Sequence, residues 1–308
     1  VDKGSYFSPY FNLEPRISLS WTAGSVVTFT AGYCRTTQYL QMLSNSTSPF
    51  TSLEVWAPSG PNIKPQQADQ FSLGLLTKTG KPGISFTAEA FYKLFRNQID
   101  YKDHANMLYN PLIEGELRFG SAKSYGVELL ARKSQGKVTG WVGYSYARIL
   151  KTIEGINQNQ AYPAVYDHPH SLFANLMLNA GKRFEIAASW FYMSGSAFTS
   201  PTGFIQYNGY TVPVYGKKNN DRLPDYHRLD LSVTFRLNKP ENRFRHNLIL
   251  SVYNLYGRKN PFAMSFNKIM NDNGDFVVPS DLNGSTEIIP TSISVAGFIP
   301  SLNYTFKF

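Results

Sequence analysis

Asp167, His168 and His170 are the residues whose types and spacing could most readily do chemistry. The two histidines are at positions i and i+2, so their imidazole rings share one face if this segment is a strand. Such a pair could bind a metal ion, or an Asp–His pair could act in acid–base catalysis. A metal site needs more ligands than this, however, and no further Cys, His or Glu cluster lies near in sequence. We therefore expect these residues to anchor the start of a strand, with no catalytic residue, metal site or cofactor.

A second polar cluster lies between Arg222 and Asp230. Arg228 and Asp230 are two residues apart, so their side chains would share a strand face and form an ion pair. Charges inside barrels commonly tune selectivity, which leaves contact with a ligand as the alternative. Cys34 is the only cysteine, which excludes a disulfide framework and a cysteine metal cluster. No nucleotide-binding or nucleophile-elbow sequence stands in a strand–turn–helix context, so we predict that the protein is not an enzyme.

The elements that must position these residues are strands, and the end of the chain shows the pattern most clearly. From Leu302 onward, apolar and polar residues alternate strictly, which is typical of a strand with one apolar and one polar side. A soluble sandwich would bury the apolar side against a second sheet, whereas a membrane barrel would turn it to lipid. The apolar side carries Leu302, Tyr304, Phe306 and Phe308.

The same alternation recurs along the whole chain and predicts about eleven strands. Short turns and long loops alternate between them without exception, as in outer-membrane barrels, and many strands exceed the roughly 5–6 residues usual in sandwiches. The predicted fold class is therefore all-β, a transmembrane antiparallel β-barrel. The predicted strands are Leu13–Thr22, Val26–Thr36, Gln67–Lys78, Ile84–Asp100, Glu116–Lys133, Val138–Lys151, Ser171–Asn179, Phe184–Ser194, Tyr226–Leu237, His246–Tyr253 and the terminal strand from Leu302.

The odd strand number conflicts with a closed barrel. Bacterial single-chain barrels have an even number of strands, and an open sheet edge in lipid leaves unpaired backbone groups. Eleven is half of twenty-two, the size of the plugged transporters. We therefore expect residues 1–308 to be the C-terminal portion of a 22-stranded barrel, with an open edge at each end.

The composition agrees with a barrel. The 20 Tyr and 22 Phe suit aromatic girdles at the membrane interfaces, while no apolar run is long enough for a spanning helix. The net charge of +9 raises nucleic acid as a partner. The basic residues lie mainly in turns and loops rather than in one stripe, however, so we expect contact with anionic lipid headgroups and no nucleic acid.

The alternation also predicts which charged residues face the lumen, because an Arg on the lipid side at mid-depth costs about 2–4 kcal/mol. The long loop from Ser196 to Asp225 is the candidate region for contact with a ligand or a protein partner, through aromatic and amide groups. The lumen residues are Glu128, Arg132, Arg228, Asp230 and Arg236, and the loop candidates are Tyr207, Tyr210, Tyr215, Lys217, Asn219 and Asn220.

An ordered series of segments resembles the C-terminal half of the barrel of TonB-dependent outer-membrane receptors. It is most similar to the branch that often carries a carboxypeptidase-regulatory-like N-terminal domain. The segments cover nearly the whole chain, and as a series they are fairly specific. They include PRISLSW, NIKPQQADQFSLGL, YGVELLARK, YDHPHSLFANL, RLPDYHRLDLSVTF, LSVYNLYGRKNPF and the terminal YTFKF.

This resemblance implies a bacterial outer-membrane protein that takes up a large scarce ligand such as a siderophore, vitamin, glycan or peptide. It implies a plug inside the barrel and TonB as energy source, both acting through parts that these residues do not contain. Tyr304, Phe306 and Phe308 would then form the signal for the barrel-assembly machinery. Lipid, lipopolysaccharide and a surface lipoprotein or other outer-membrane subunits are the further partners. The alternatives are a structural subunit of an outer-membrane complex and a small barrel porin or enzyme.

Overall fold

A computed structural model describes residues 9–43, 55–79, 83–103, 105–107, 110–208, 210–238, 244–267 and 289–307. Eleven long strands, named β1 to β11 in chain order, form one antiparallel sheet in which each strand pairs with its neighbours in sequence. The strands are Arg16–Ala23, Val27–Gln38, Gln66–Lys78, Ile84–Tyr101, Leu117–Lys133, Val138–Ile153, His170–Asn179, Phe184–Met193, Tyr226–Arg236, Arg245–Tyr253 and Ile299–Lys307.

The sheet is open. Its strand order ends at β1 on one side and at β11 on the other, and within the described residues these two strands are not paired. This confirms the predicted fold class, the eleven strands and the open edges. The predicted strand bounds agree with the structure to within a few residues, because each is fixed by its own alternation.

Short turns and long loops alternate along the sheet, as predicted, so all long loops lie at one end. What the sequence pattern did not reveal is that these loops contain short strands of their own. Loop strands pair as Leu40–Leu43 with Val55–Pro58, Ala197–Phe198 with Asp221–Arg222, Pro201–Tyr207 with Tyr210–Tyr215, and Ala263–Asn267 with Ile289–Ile293. Tyr162–Pro163 pairs with β6, and two 3₁₀ turns cover Ile113–Glu116 and Asn157–Asn159.

Cross-strand register keeps the two faces of the sheet chemically distinct. Side chains directly opposite each other are neighbours on the same face, so paired positions form rows across the strands. One row of the apolar face passes through Ala131, Val142, Ala174, Trp190 and Leu229. One row of the polar face passes through Thr30, Gly74, Glu89, Glu128, Ser145 and Ser171.

Aromatic rings border the apolar face at both ends, as expected for interface girdles. Near the short turns, Trp21 stacks on Phe29 with 5.5 Å between the ring centroids. Phe184 and Phe235 form an edge-to-face contact with 5.1 Å between their ring centroids. Near the long loops, Tyr33 contacts Phe71 at 5.1 Å. Strands β7 and β8 are ten residues long, which matches the roughly 9–11 residues that cross a bilayer.

Charged groups mark the edge of the apolar face at the long-loop end. Asp69 lies two residues from Phe71 on the same face and bonds to Arg35 Nε at 2.7 Å and to Arg96 at 3.2 Å. Tyr33 also donates to this carboxylate, at 2.9 Å. An ionised cluster of this kind is unfavourable in hydrocarbon, so the lipid boundary lies between Phe71 and Asp69.

Strands β4, β5 and β6 are 18, 17 and 16 residues long and extend well past this boundary. Within β4 a β-bulge at Asn97, whose φ is 55°, shifts the register between Arg96 and Gln98. Before the bulge the odd-numbered residues of β4 lie on the polar face; after it, Gln98 and Asp100 do. The bulge therefore brings these two polar side chains to the polar face, where the uninterrupted alternation would have placed them on the apolar one.

The buried apolar residues lie mainly under the long loops rather than within the sheet. Leu43, Ile63, Ile99, Tyr101 and Leu117 form one cluster there, and Ile153, Ile156 and Tyr162 form a second. In the described residues, no helix is long and apolar enough to span a membrane.

Asn254 is polar at a position where the alternation of β10 would place an apolar residue. It directly follows Tyr253, the last residue of that strand. It is fully buried with φ 55° and bonds to Arg258 through its side chain.

Candidate functional site

A row of glutamines crosses the polar face at the long-loop end. Gln98 Nε2 donates to Gln66 Oε1 at 2.9 Å, Gln66 Nε2 donates to Gln41 Oε1 at 2.8 Å, and Gln41 Nε2 donates to the Lys64 carbonyl at 2.9 Å. Gln41 is 1% exposed and Gln98 is 6% exposed. Each side-chain amide has two donor hydrogens and an oxygen with two lone pairs. Within the row each amide donates only one hydrogen bond, so part of its hydrogen-bonding capacity is not used by the row.

Asp100 lies beside the glutamine row and holds two loops to the sheet. Its carboxylate accepts hydrogen bonds from Lys218 Nζ and, at 2.8 Å, from Tyr162 Oη, and Lys151 Nζ lies 3.8 Å away. Burial and the neighbouring Asp100 charge raise the pKa of the Tyr162 phenol well above its ordinary value. Tyr162 therefore stays a neutral donor to Asp100 throughout the physiological pH range.

A cavity of about 360 Å³ opens next to these groups. We refer to it as the mouth cavity, and its polar lining includes Gln38, Gln41, Gln66, Gln98, Tyr101 and Lys151. Tyr101 is 7% exposed, and in the described part of the chain its hydroxyl has no hydrogen-bond partner. The register places Tyr101 on the opposite face of β4 from Gln98 and Asp100, and its hydroxyl is fully buried there.

The loop candidates from the sequence divide into two groups. Asn219 lines the mouth cavity, but it is 5% exposed and its amide donates to the Pro163 carbonyl at 2.7 Å. Lys217 donates to Gln160 at 2.9 Å, and Asn220 accepts from the Ser200 backbone N–H at 2.8 Å. These three residues hold the loop in place.

Two tyrosines of the same loop, Tyr207 and Tyr215, are exposed. Their exposed fractions are 65% and 54%, and they lie on the paired loop strands above the sheet. Tyr210 pairs with Tyr207 in that hairpin through its backbone. Exposed tyrosines at this place suit contact with a ligand or a partner, so that expectation stays a prediction.

The Asp167 cluster is an anchor, as the sequence suggested. Asp167 is fully buried, forms ion pairs with Arg222 and, at 3.2 Å, with Arg148, and accepts a hydrogen bond from the Ile149 backbone N–H at 2.6 Å. His168 and His170 do not act together, since His168 Nδ1 bonds to the Ser194 carbonyl and His170 Nδ1 to Tyr144 Oη.

The charged residues predicted for the lumen all lie on the polar face, and three of them, Arg228, Asp230 and Arg236, have ion-pair partners. Arg228 bonds to Asp230 at 2.9 Å, as predicted, and its guanidinium lies 4.0 Å from the centroid of the Tyr253 ring. Arg236 bonds to Glu185 at 2.6 Å. Glu185 was missed, although its alternation with Phe184 and Ile186 would have placed it on the polar face.

Glu128 is directly opposite Glu89 of the neighbouring strand, and Arg132 lies four residues further along. Among the described residues neither carboxylate has a cation within ion-pair distance, and Arg132 is exposed. Like charges placed directly opposite each other destabilise a sheet. The sequence could not reveal this pairing, because it depends on the register between β4 and β5.

Of the barrel-assembly residues, Tyr304 bonds to His246 Nδ1 at 2.5 Å, and Phe306 stacks on Phe244 at 5.8 Å. Both contacts hold β11 on β10. Phe308 lies outside the described residues.

The family is decided by a comparison over most of the chain. The profile of the family described as "TonB dependent receptor-like, beta-barrel" matches residues 2–255. The chain belongs to this family. It is accordingly part of a β-barrel of the bacterial outer membrane, in agreement with its lipid-facing aromatic girdles and open eleven-stranded sheet. Among curated proteins, none matches the chain.

Solved structures of receptors and transporters share the fold at low sequence identity. Fiu, a ferric-catecholate import receptor from E. coli K12, is 14% identical with a TM-score of 0.55, over 95% of this chain and 34% of Fiu. The ferric citrate transporter FecA is 12% identical with a TM-score of 0.56, and the match covers 96% of this chain and 38% of FecA. The pyoverdine receptor FpvA from Pseudomonas aeruginosa PAO1 is 12% identical with a TM-score of 0.54, and the match covers 80% of this chain and 32% of FpvA. The chain thus spans about a third of their length.

Proposed function

We propose that this chain is the C-terminal half of the 22-stranded barrel of a TonB-dependent receptor that imports a large, scarce ligand. The observation that carries the proposal is the linear order of eleven strands, in which β1 and β11 have no partner on their outer edges among the described residues. In lipid such edges cost several kcal/mol per unsatisfied backbone group, so β1 and β11 require further strands. A second set of eleven gives the even number typical of bacterial barrels.

The polar face is the lumen of this barrel, and Glu128, Arg132, Arg228, Asp230 and Arg236 line it. The opposed pair Glu89 and Glu128 supports a plug inside the lumen, because two carboxylates in register are stabilised by a cation from outside the sheet. A basic side chain of the plug supplies that cation.

The test of this function is uptake by cells that produce the full-length receptor, compared with and without TonB. Accumulation of the ligand that the receptor binds should stop when TonB is removed, while binding to the cell surface should continue. Uptake that is unchanged in the absence of TonB would show that the barrel is a passive pore.

Neither alternative function gains support. The fold neighbours that are identified by name are import receptors and transporters, so a purely structural subunit is not favoured. A small porin or barrel enzyme needs a closed ring, whereas the described strands end at two unpaired edges. The family and its fold neighbours are likewise consistent with a protein that is not an enzyme.

Lipopolysaccharide is the partner that the outward surface fits best. Arg96 is 57% exposed on the apolar face just beyond the lipid boundary, Lys123 is exposed on the same face of the next strand, and Arg35 lies beside them. Cations at this height can pair with anionic headgroups. The charge reversals Arg96→Glu and Lys123→Glu should reduce co-purifying lipopolysaccharide, and an unchanged amount would exclude this contact.

The remaining partners follow from the family. TonB acts through an N-terminal part of the receptor, and the barrel-assembly machinery recognises the strand that carries Tyr304, Phe306 and Phe308. A surface lipoprotein or another outer-membrane subunit would contact the loop tyrosines Tyr207 and Tyr215. Replacing both by Ser tests this last contact, because only a partner that contacts these rings is lost from the purified complex.

A further inference from the structure

We propose that a groove on the lipid-facing side of the sheet binds one anionic phospholipid of the periplasmic leaflet. The groove takes an acyl chain, and the basic turns at its short-turn end take the phosphate headgroup. This inference goes beyond the uptake function and does not depend on it, because it concerns only the outward face of the barrel. Its evidence is the shape of that face, one lysine fixed at the end of the groove, and the charge of the nearest turns.

Two adjoining depressions on the apolar face form the groove. Their volumes are about 340 Å³ and 290 Å³. Both are lined by Phe86, Ala131 and Val142, so they are continuous with each other. We refer to the two depressions together as the lipid-side groove. It lies on the face that carries the aromatic girdles, so lipid chains surround it.

Cross-strand register explains why the groove forms. Ala88 of β4 and Ala131 of β5 are half-buried, whereas the residues paired with them on both neighbouring strands are larger. Paired residues lie side by side on one face, so the alanines form the floor of the groove and the larger side chains form its walls. The wall residues are Leu75 and Leu129 beside Ala88, and Phe86 and Val142 beside Ala131.

The groove runs diagonally toward the short turns. Its third low position is Gly140 of β6, which is paired with Lys133 and Leu176. The backbone also requires this glycine, because its φ is 149° and a Cβ would overlap the Asn175 carbonyl oxygen. From Ala88 to Gly140 the groove crosses two strand spacings and four residue steps, roughly 16 Å. Half of a hydrocarbon core of about 30 Å has a similar length, so one acyl chain fits.

Lys133 fixes a positive charge at the end of the groove. It is the last residue of β5, lines the groove and is exposed. Its Nζ donates to the carbonyl oxygens of Gln135 and Val138, which hold the side chain in place. An ammonium group has three donor hydrogens, so one is not used by these bonds. Among the described residues no carboxylate lies within ion-pair distance of Lys133, so its charge can pair with a phosphate.

The turns nearest the groove add to this positive charge. In the sequence, residues 78–84, 133–138 and 179–184 include basic residues and no acidic ones. These turns follow β3, β5 and β7, and basic residues at a membrane surface attract anionic headgroups. The short turns of outer-membrane barrels lie in the periplasm, where the leaflet consists of phospholipid, so the ligand at this end is a phospholipid. The basic residues are Lys78, Lys81, Lys133, Lys137, Lys182 and Arg183.

The experiment uses the full-length receptor, purified in detergent, freed of bound lipid and titrated with phosphatidylglycerol under native mass spectrometry. We expect one lipid molecule to bind first, about 5-fold more tightly than phosphatidylcholine with the same chains. Glycerol phosphate, which has no acyl chains, should not bind. Several equally weak bound lipids, equal affinities for the two lipids, or equally tight binding of glycerol phosphate would each overturn the proposal.

Two variants that fill the groove locate the acyl chain. Ala131→Leu and Ala88→Leu should each weaken phosphatidylglycerol binding at least about 10-fold. Both residues face hydrocarbon, so the larger apolar side chain should leave the melting temperature of the receptor unchanged. The control is Ala188→Leu, since Ala188 is also half-buried on the apolar face but does not line the groove. Equal affinities of the groove variants and the control would overturn the assignment to this groove.

A third variant locates the headgroup. Lys133→Gln should weaken binding about 5-fold. The control is Lys78→Gln, because Lys78 is the last residue of β3 and is also exposed, but lies on the polar face. Equal losses in these two variants would overturn the headgroup assignment to Lys133. A receptor that binds no lipid but forms a dimer, which Ala131→Leu dissociates, would show instead that the groove is an interface between two copies.

Discussion

At the scale of single residues, buried charges decide how the long loops are held. Asp167 and Asp100 each form ion pairs with two basic side chains. These ion pairs connect the long loops to the ends of the strands. The sequence pointed to Asp167 through its neighbouring histidines, although the histidines turned out to have separate partners. Asp100 had no such signal, since its partner Lys218 lies far along the chain.

We expect Asp167→Asn to destabilise the receptor by about 3 kcal/mol, because it leaves Arg148 and Arg222 facing a neutral amide in a buried site. Urea unfolding of the purified receptor measures the loss. Glu154→Gln is the control, since Glu154 is exposed and has no ion pair among the described residues. Equal stabilities of the two variants would show that the Asp167 cluster does not hold the loops.

At the scale of elements, strict alternation made the eleven strands predictable, because lipid on one side and polar groups on the other impose a period of two. The bulge in β4 was not predictable in the same way. It adds one residue to an otherwise regular pattern, and its effect on Gln98 and Asp100 depends on the register with β5. The mouth cavity was missed for this reason, while contact of the loop tyrosines with a ligand or partner stays a prediction.

The bulge gives a prediction of its own. Asn97 has φ 55°, a conformation that glycine adopts freely and that a β-branched residue adopts at a cost of roughly 1–2 kcal/mol. Both Asn97→Gly and Asn97→Val lose the hydrogen bond to the Pro65 carbonyl, so this bond does not contribute to the difference between them. Urea unfolding should show the Val variant to be less stable by about that amount, and equal stability would mean that the bulge is not needed.

At the scale of the whole molecule, the proposed plug would lie against the polar face of the sheet, where Glu89 and Glu128 are opposite each other. If a basic side chain of a plug lies between Glu89 and Glu128, then replacing both carboxylates by Gln should loosen the plug. Cells with this double variant should become several-fold more sensitive to vancomycin, which the outer membrane normally excludes. Glu154→Gln controls for the loss of an acidic side chain, and unchanged sensitivity of the double variant would argue against a plug held at this pair.

We propose that these eleven strands form one half of a larger barrel, and the strand order of the full-length receptor tests this proposal most directly. A cryo-electron microscopy structure of that receptor in detergent would show which strands pair with β1 and β11. We predict a barrel of 22 strands in which both edges pair with strands from outside this chain. A closed ring in which β1 pairs directly with β11 would contradict the account.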